Sequence, residues 1–234
     1  SYSYFTENSS RYSSNLAILS KYQILNSGTI DFPESSNNAI YADIIIKSDT
    51  IRVYNIHLQS SGINTNIETL DSKQSNMLIS RLGSTFKDQQ YQAELVADHM
   101  SKSPYKALLC GDFNNTSFSY VYRKLSQAMN DAFVESGNGM GTTYLFDSFP
   151  MRIDYILASK ELEIVQFETI KKLMEEFKNT QLNFKEVELP WSSILMSLTP
   201  AKNANGNFLS KKNVNPSKRT LMGSLVGLIP VYEQ

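Results

Sequence analysis

Two apolar runs open the pattern: residues 16–25 (LAILSKYQIL) and 39–46 (AIYADIII), both rich in β-branched and aliphatic side chains, predict strands. After a turn at Asp49, residues 51–58 alternate apolar and polar strictly, which predicts a half-buried strand paired in a hairpin with the one before it. A polar loop follows over 59–68. The period then lengthens. Leu70, Met77, Leu78 and Leu82 predict a helix over 69–82, and Phe86, Ala93, Val96 and Met100 predict a second over 85–101. Thr85 and Asp88 stand at capping-box spacing at the start of that second helix.

Ser103-Pro104 stops the helix, and residues 105–110 read as a buried strand. Downstream, 117–129 (SFSYVYRKLSQAM) predicts a helix begun by a serine cap, and 137–144 (GNGMGTTY) a glycine-rich loop. Residues 151–158 and 162–170 predict two more strands, and 173–186 a helix. No segment repeats. The mixture of strands and helices argues α/β or α+β. Beyond Lys172 the strand rhythm is lost, and 189–234 is rich in Asn, Ser and Lys with five basic residues against one acidic. The organisation expected is one domain over 1–172 and a divergent extension over 173–234.

Composition narrows this picture only a little. The 234 residues are 41% hydrophobic and 19% charged, ordinary for a globular chain. A net charge of −1 gives no global attraction to nucleic acid or to an anionic membrane. A single cysteine excludes an intramolecular disulfide framework and a cysteine-based zinc cluster, and Cys110, ending an apolar strand, reads as a small core residue. No apolar run reaches the ~18 residues of a membrane span. No signal peptide opens the chain, and Ser1 in place of methionine points to a processed or truncated start. Compartment is undecided, and no feature identifies a protein partner.

The candidate chemistry sits where apolar strands are interrupted: His57, Asp112, Asn114 and Asp154. Each has a plainer reading. His57 suits a satisfied core or surface histidine, Asp112 and Asn114 suit an Asx turn leaving a strand, and Asp154 suits an ion pair with Arg152. Taken together, carboxylate, amide and imidazole at one sheet edge form the set that handles hard cations and phosphates. Oxygen ligands hold Mg²⁺ with several waters retained, and an imidazole exchanges protons near neutral pH. The basic side chains Lys202, Lys211, Lys212, Lys218 and Arg219 of the extension fit either a phosphate-backbone patch or a solvated tail.

Three ordered motifs, NIHLQS at 55–60, GDFN at 111–114 and RIDYIL at 152–157, resemble the endonuclease/exonuclease/phosphatase superfamily, the DNase-I-like proteins, in a Bacteroidetes-type branch. The resemblance covers residues 1–171 and adds LAILSKYQI at 16–24 as the strand after the family's glutamate motif. It implies an α+β fold, the four-layered αββα sandwich, here lacking its first strands. It implies metal-dependent phosphoester hydrolysis with Mg²⁺, or Mn²⁺ or Ca²⁺, on nucleic acid, an inositol phosphate or a phospholipid headgroup. His57 matches the histidine that contacts the scissile phosphate and assists the leaving group. Asp112 matches the carboxylate that activates water near the metal, and Asn114 the amide that holds the phosphate or that carboxylate; Asp112 and Asn114 are the metal candidates. Asp154 matches the aspartate that orients a catalytic imidazole or joins the metal shell, whereas Arg152 and Tyr155 are framework.

Two departures stand out. No counterpart of the family's glutamate precedes residue 16, and no Ser-Asp-His motif follows Lys172. His99, the other histidine, is placed near a helix C-terminus, where solvent exposure is expected. Glu188 or Glu233 could substitute for the missing glutamate. Two functions follow: a phosphoesterase of impaired activity, or a catalytically degenerate binding or scaffold protein on the same fold.

Overall fold

The computed structural model describes residues 2–6, 16–62, 72–146, 149–169, 194–198 and 226–228. Its centre is a six-stranded sheet. In chain order its strands are β3 (Ile24–Asp31), β4 (Asn38–Ile46), β5 (Asp49–His57), β6 (Lys106–Asp112), β7 (Met129–Asp131) and β10 (Asp154–Ser159). They lie side by side as β3-β4-β5-β6-β10-β7. Only β5 and β6 run parallel, and a parallel pair needs a long crossover. The crossover is α1 (Ser72–Ser101).

Alternation along these strands separates two cores. Tyr54, Ile56, Leu109, Tyr155 and Leu157 face α1 through Ala93 and Val96, and face α2 (Tyr120–Ser126) through Val121 and Leu125. Ile40, Ala42, Val53, Leu108, Cys110 and Ile156 face the other way. They pack on Leu16, on Ile18 of β2 (Ala17–Ser20), on Ala132 of α3 (Ala132–Ser136) and on Phe167 of β11 (Ile164–Thr169). β2 pairs with β1 (Tyr2–Phe5). β8 (Tyr144–Phe146) and β9 (Phe149–Met151) form a small hairpin. β11 begins a three-stranded sheet with β12 (Ile194–Leu198) and β13 (Val226–Leu228). The fold is the expected α+β sandwich. Cys110 is buried in it, and desolvation pushes its thiol far above the ordinary range.

Several expected elements change shape. The run 16–25 is broken: Ser20 Oγ accepts from the Tyr22 N–H at 2.9 Å, and the chain turns from β2 into β3. The two helices expected over 69–82 and 85–101 are one from residue 72; positions 69–71 lie outside the described residues. Thr85 is buried inside that helix and caps nothing. Gly83 costs the helix only ~1 kcal/mol relative to alanine, too little to end it. Phe86, expected on the inward stripe, is 50% exposed; Ala93 and Val96 face inward as expected, joined by Gln89 and Gln92.

The helix expected over 117–129 runs only from 120 to 126, because Ser119 Oγ caps it through the Tyr122 N–H; β7 and α3 follow, unforeseen. The strand expected over 151–158 divides into β9 and β10, and that expected over 162–170 is β11. The helix at 173–186 and the boundary at 172 lie outside the described residues. His99 is not simply solvated. Its ring packs against Tyr41 with centroids 4.8 Å apart and planes tilted by 43°, and its Nδ1 bonds the buried Tyr54 hydroxyl at 3.0 Å.

Candidate active site

The site begins as a matter of register. His57 pairs with Asp112 across β5 and β6, and Asp112 pairs with Asp154 across β6 and β10. Residues opposed in register point to the same face, and neighbouring strands lie about 4.8 Å apart. The three side chains therefore form one row at one edge of the sheet. They stand on the face opposite α1, in line with Val53, Cys110 and Ile156.

Gly111 makes that row possible. Its φ is +140°, and a Cβ there would lie 2.0 Å from the Ile56 carbonyl oxygen. Only glycine accepts both conditions. The Gly-Asp pair is thus structural in its first residue.

Past Asp112 the chain turns. The Asn114 N–H donates to Asp112 Oδ1 at 2.7 Å, so the Asx turn expected as the plain reading is present. Asn114 takes a φ of +49° there, and its Nδ2 donates to the Leu58 carbonyl at 2.8 Å. The β5 and β6 ends are tied again by Leu58 N–H to Asp112 C=O, 3.0 Å. Asn114 thus joins the row through the backbone beyond both strands.

The entry to β10 is held from the glycine-rich loop. Thr143 Oγ1 accepts from the Ile153 N–H at 3.0 Å and from the Asp154 N–H at 3.2 Å. The Phe113 N–H donates to the Ile153 carbonyl at 2.9 Å. Arg152 is committed to a partner outside its own segment. It binds Asp131 through both guanidinium ends at 2.8 Å, with side-chain exposures of 12% and 4%. Asp131 also accepts from Tyr122 Oη and caps α3 through the Phe133 N–H. Arg152 is framework, and so is Tyr155, whose hydroxyl donates to the Arg152 and Asn115 carbonyls. Thr143 and Asp131 gave no sequence signal, since a threonine after glycines and an aspartate after a helix are routine turn chemistry.

Electrostatics sets the row apart from an ordinary strand edge. Burial, and after it the neighbouring Asp154 carboxylate, raise the Asp112 carboxyl well above its usual range, against the opposing effect of the Asn114 N–H. Desolvation lowers His57, favouring the neutral imidazole. Two carboxylates in register, one raising the other, are a donor set that a hard cation would neutralise. Among the described residues no three His, Cys, Asp or Glu side chains converge as a ready-made metal cage. Mg²⁺ is ordinarily held by one or two carboxylates plus waters, so Asp112 with Asp154 or the Asn114 amide suits it.

A mixed sheet with α1 and α2 on one face, and β2, α3 and β11 on the other, is a DNase-I-like sandwich, with two carboxylates and an imidazole in register at its edge. A model of the Endonuclease/Exonuclease/phosphatase family matches residues 1–175, and the chain belongs to that family, whose nucleases and phosphatases hydrolyse phosphoesters. Among solved structures, truncated Caenorhabditis elegans TDP2 superposes with a TM-score of 0.52 at 17% identity, covering 73% of this chain and 66% of that one. A family protein from Leptotrichia buccalis gives 0.49 at 20% identity, covering 74% and 64%. One from Bacteroides thetaiotaomicron gives 0.47 at 17% identity, covering 67% and 59%. No curated protein matches. The chain spans less than two thirds of the length of these structures, and the likeness to TDP2 is one of fold.

Proposed function

We propose that this chain hydrolyses a phosphoester with a divalent cation, Mg²⁺ or alternatively Mn²⁺ or Ca²⁺, through His57, Asp112, Asn114 and Asp154. The observation that carries the reading is the register row His57–Asp112–Asp154, a buried carboxylate pair beside a neutral imidazole. Asp112 and Asn114 would hold the cation, with Asp154 adjoining. When bound, such an ion offsets phosphate charge and makes its water a better nucleophile.

The chain's own groups supply the rest. Asp112 aligns a water for in-line attack on phosphorus. His57, kept neutral, offers an N–H to a phosphate oxygen and a lone pair to a proton. Asp154 fixes the charge beside Asp112. Substrates of this chemistry are nucleic acid, an inositol phosphate or a phospholipid headgroup. The net charge of −1 argues against processive binding along a polyanion.

One observation favours a second reading, a degenerate binding protein. His99, the other histidine, packs on Tyr41 and Tyr54 and is engaged there, away from the row. A panel of bis-p-nitrophenyl phosphate, p-nitrophenyl phosphate and supercoiled plasmid, each with Mg²⁺ and with EDTA, separates the readings. Turnover that needs Mg²⁺ supports the enzyme. Absence of turnover on every substrate, with the folded protein still binding a phosphoester, supports the binding protein.

A further inference from the structure

Helix α1 carries two glutamines where an inward stripe is ordinarily aliphatic. Gln89 is wholly buried and Gln92 is 2% exposed. A buried amide that found no partner would cost about 1–3 kcal/mol, so what these two bind matters. Gln89 Nε2 donates to the Gln59 carbonyl at 2.6 Å and to the Asn114 carbonyl at 3.2 Å. Gln89 Oε1 accepts from Asn115 Nδ2 at 2.8 Å. Gln92 Oε1 accepts from the Gln59 N–H at 2.8 Å.

The bonded residues are those at which the two site strands give out. Gln59 follows His57 by two residues, and Asn114 follows Asp112 by two. Beyond a strand end the main chain has no ladder partner, and its position is set by whatever binds it. Here one rigid helix binds both ends. We propose that Gln89 and Gln92 are positioning residues that hold the His57 and Asp112–Asn114 segments at a fixed separation, so that helix α1 sets the site geometry. The inference rests on the phosphoesterase reading for its kinetic consequence, though not for its structural one. Asn114 makes the case sharper. It sits at a φ of +49° in the Asx turn, a region asparagine tolerates, and the Gln89 bond to its carbonyl fixes that turn against the helix.

The test uses Gln89→Met and Gln92→Met, which keep the volume and remove the bonds, and Gln89→Glu. The glutamate keeps the acceptor for Asn115 but sets an oxygen against two carbonyls. On bis-p-nitrophenyl phosphate with Mg²⁺, Gln89→Met should lose ~10–100-fold in kcat with KM within about twofold, the signature of displacement rather than lost binding. Gln89→Glu should lose more. The Asn114 and Asn115 side-chain amide resonances should move in both.

A folded Gln89→Met protein with wild-type kcat would overturn the proposal, as would unmoved Asn114 and Asn115 amide signals. If Gln89→Met does not fold, Gln92→Met, which loses one bond, decides. It should lower kcat several-fold and shift the Gln59 amide, and no change in either overturns the clamp. If wild-type protein hydrolyses none of the substrates, the phosphoesterase reading fails by itself. The amide resonances then still decide whether the glutamines position the two segments.

Discussion

The same substitution, glycine to alanine, should have opposite effects at two places in this chain. At Gly111 the backbone φ is +140°, in a region L-residues rarely adopt, and holding alanine there costs ~1–3 kcal/mol. The new Cβ would also lie 2.0 Å from the Ile56 carbonyl oxygen and 2.8 Å from its nitrogen. Ordinary contact begins near 3.4 Å, so β5 and β6 would have to part by about 1.4 Å at the pair beside His57 and Asp112. Both neighbours are main chain and have no rotamer in which to retreat. Overpacking of this kind costs a further ~1–3 kcal/mol. The total, ~2–6 kcal/mol, is a large part of a domain's usual 5–15 kcal/mol.

At Gly83, inside α1, an added Cβ meets nothing within 4 Å. Alanine there should stabilise by ~0.5–1 kcal/mol through helix propensity and lost unfolded-state freedom. Urea unfolding followed by far-UV circular dichroism, extrapolated linearly, reads both. A Gly111→Ala protein within 0.5 kcal/mol of wild type would refute the close approach of β6 to β5, and with it the register on which the site is built. Where that variant folds, displacement of Asp112 by about 1 Å should also lower turnover ~10²-fold.

Other expectations follow from buried charge. Asp131→Ala leaves the Arg152 guanidinium, 12% exposed, without its partner and should cost ~3–5 kcal/mol in a denaturant titration. Arg152→Met combined with Asp131→Asn should cost less than the sum of the two single changes. Asp112→Asn should stabilise the cation-free protein at pH 7 while abolishing turnover. Its carboxyl is raised in the fold, so its contribution is lost as pH rises above the unfolded value near 3.8, and a neutral amide keeps the Asn114 bond without the charge. The gain should be seen as a higher urea midpoint at pH 7 that shrinks as the pH is lowered toward 3.8.

Histidines give the opposite slope. Burial lowers both His57 and His99, so the unfolded chain binds more protons below its ordinary value of 6.5. Stability is complete above that value and falls as pH drops from 6.5 toward 5. Urea midpoints between pH 7.5 and 5 should show the fall, and His99→Phe should flatten part of it.

Much of this was legible in the residues because strand periodicity is a local signal. AIYADIII specified β4, and the run from Ile51 to Leu58 specified β5, though not as a half-buried strand: Val53 is buried on one face and Tyr54 and Ile56 on the other, because layers cover both. The sharing of one sheet edge by His57, Asp112 and Asp154 could be foreseen from their places at apolar strand ends. What the text did not carry is non-local. Thr85 with Asp88 has the form of a helix start, but three turns of helix on either side outweigh a cap signal worth ~1 kcal/mol. Arg152 precedes Asp154 by two residues, yet its partner is Asp131, twenty-one positions earlier, brought alongside by the pairing of β7 with β10. The same holds for Gln89 and Gln92. Their polarity on an inward face has meaning only once the ends of β5 and β6 are seen above them. His99 shows the reverse error: exposure was inferred from a helix end, and Tyr41 and Tyr54 on the sheet cover it.

One measurement tests the central claim most directly: the initial rate of bis-p-nitrophenyl phosphate hydrolysis against Mg²⁺ concentration, for wild type and Asp112→Ala prepared identically. The register row predicts a saturable Mg²⁺-dependent rate in wild type, abolished by EDTA, and a loss of ~10²–10⁴-fold in the variant. Equal rates in the two proteins, or a wild-type rate indifferent to Mg²⁺ and EDTA, would contradict it.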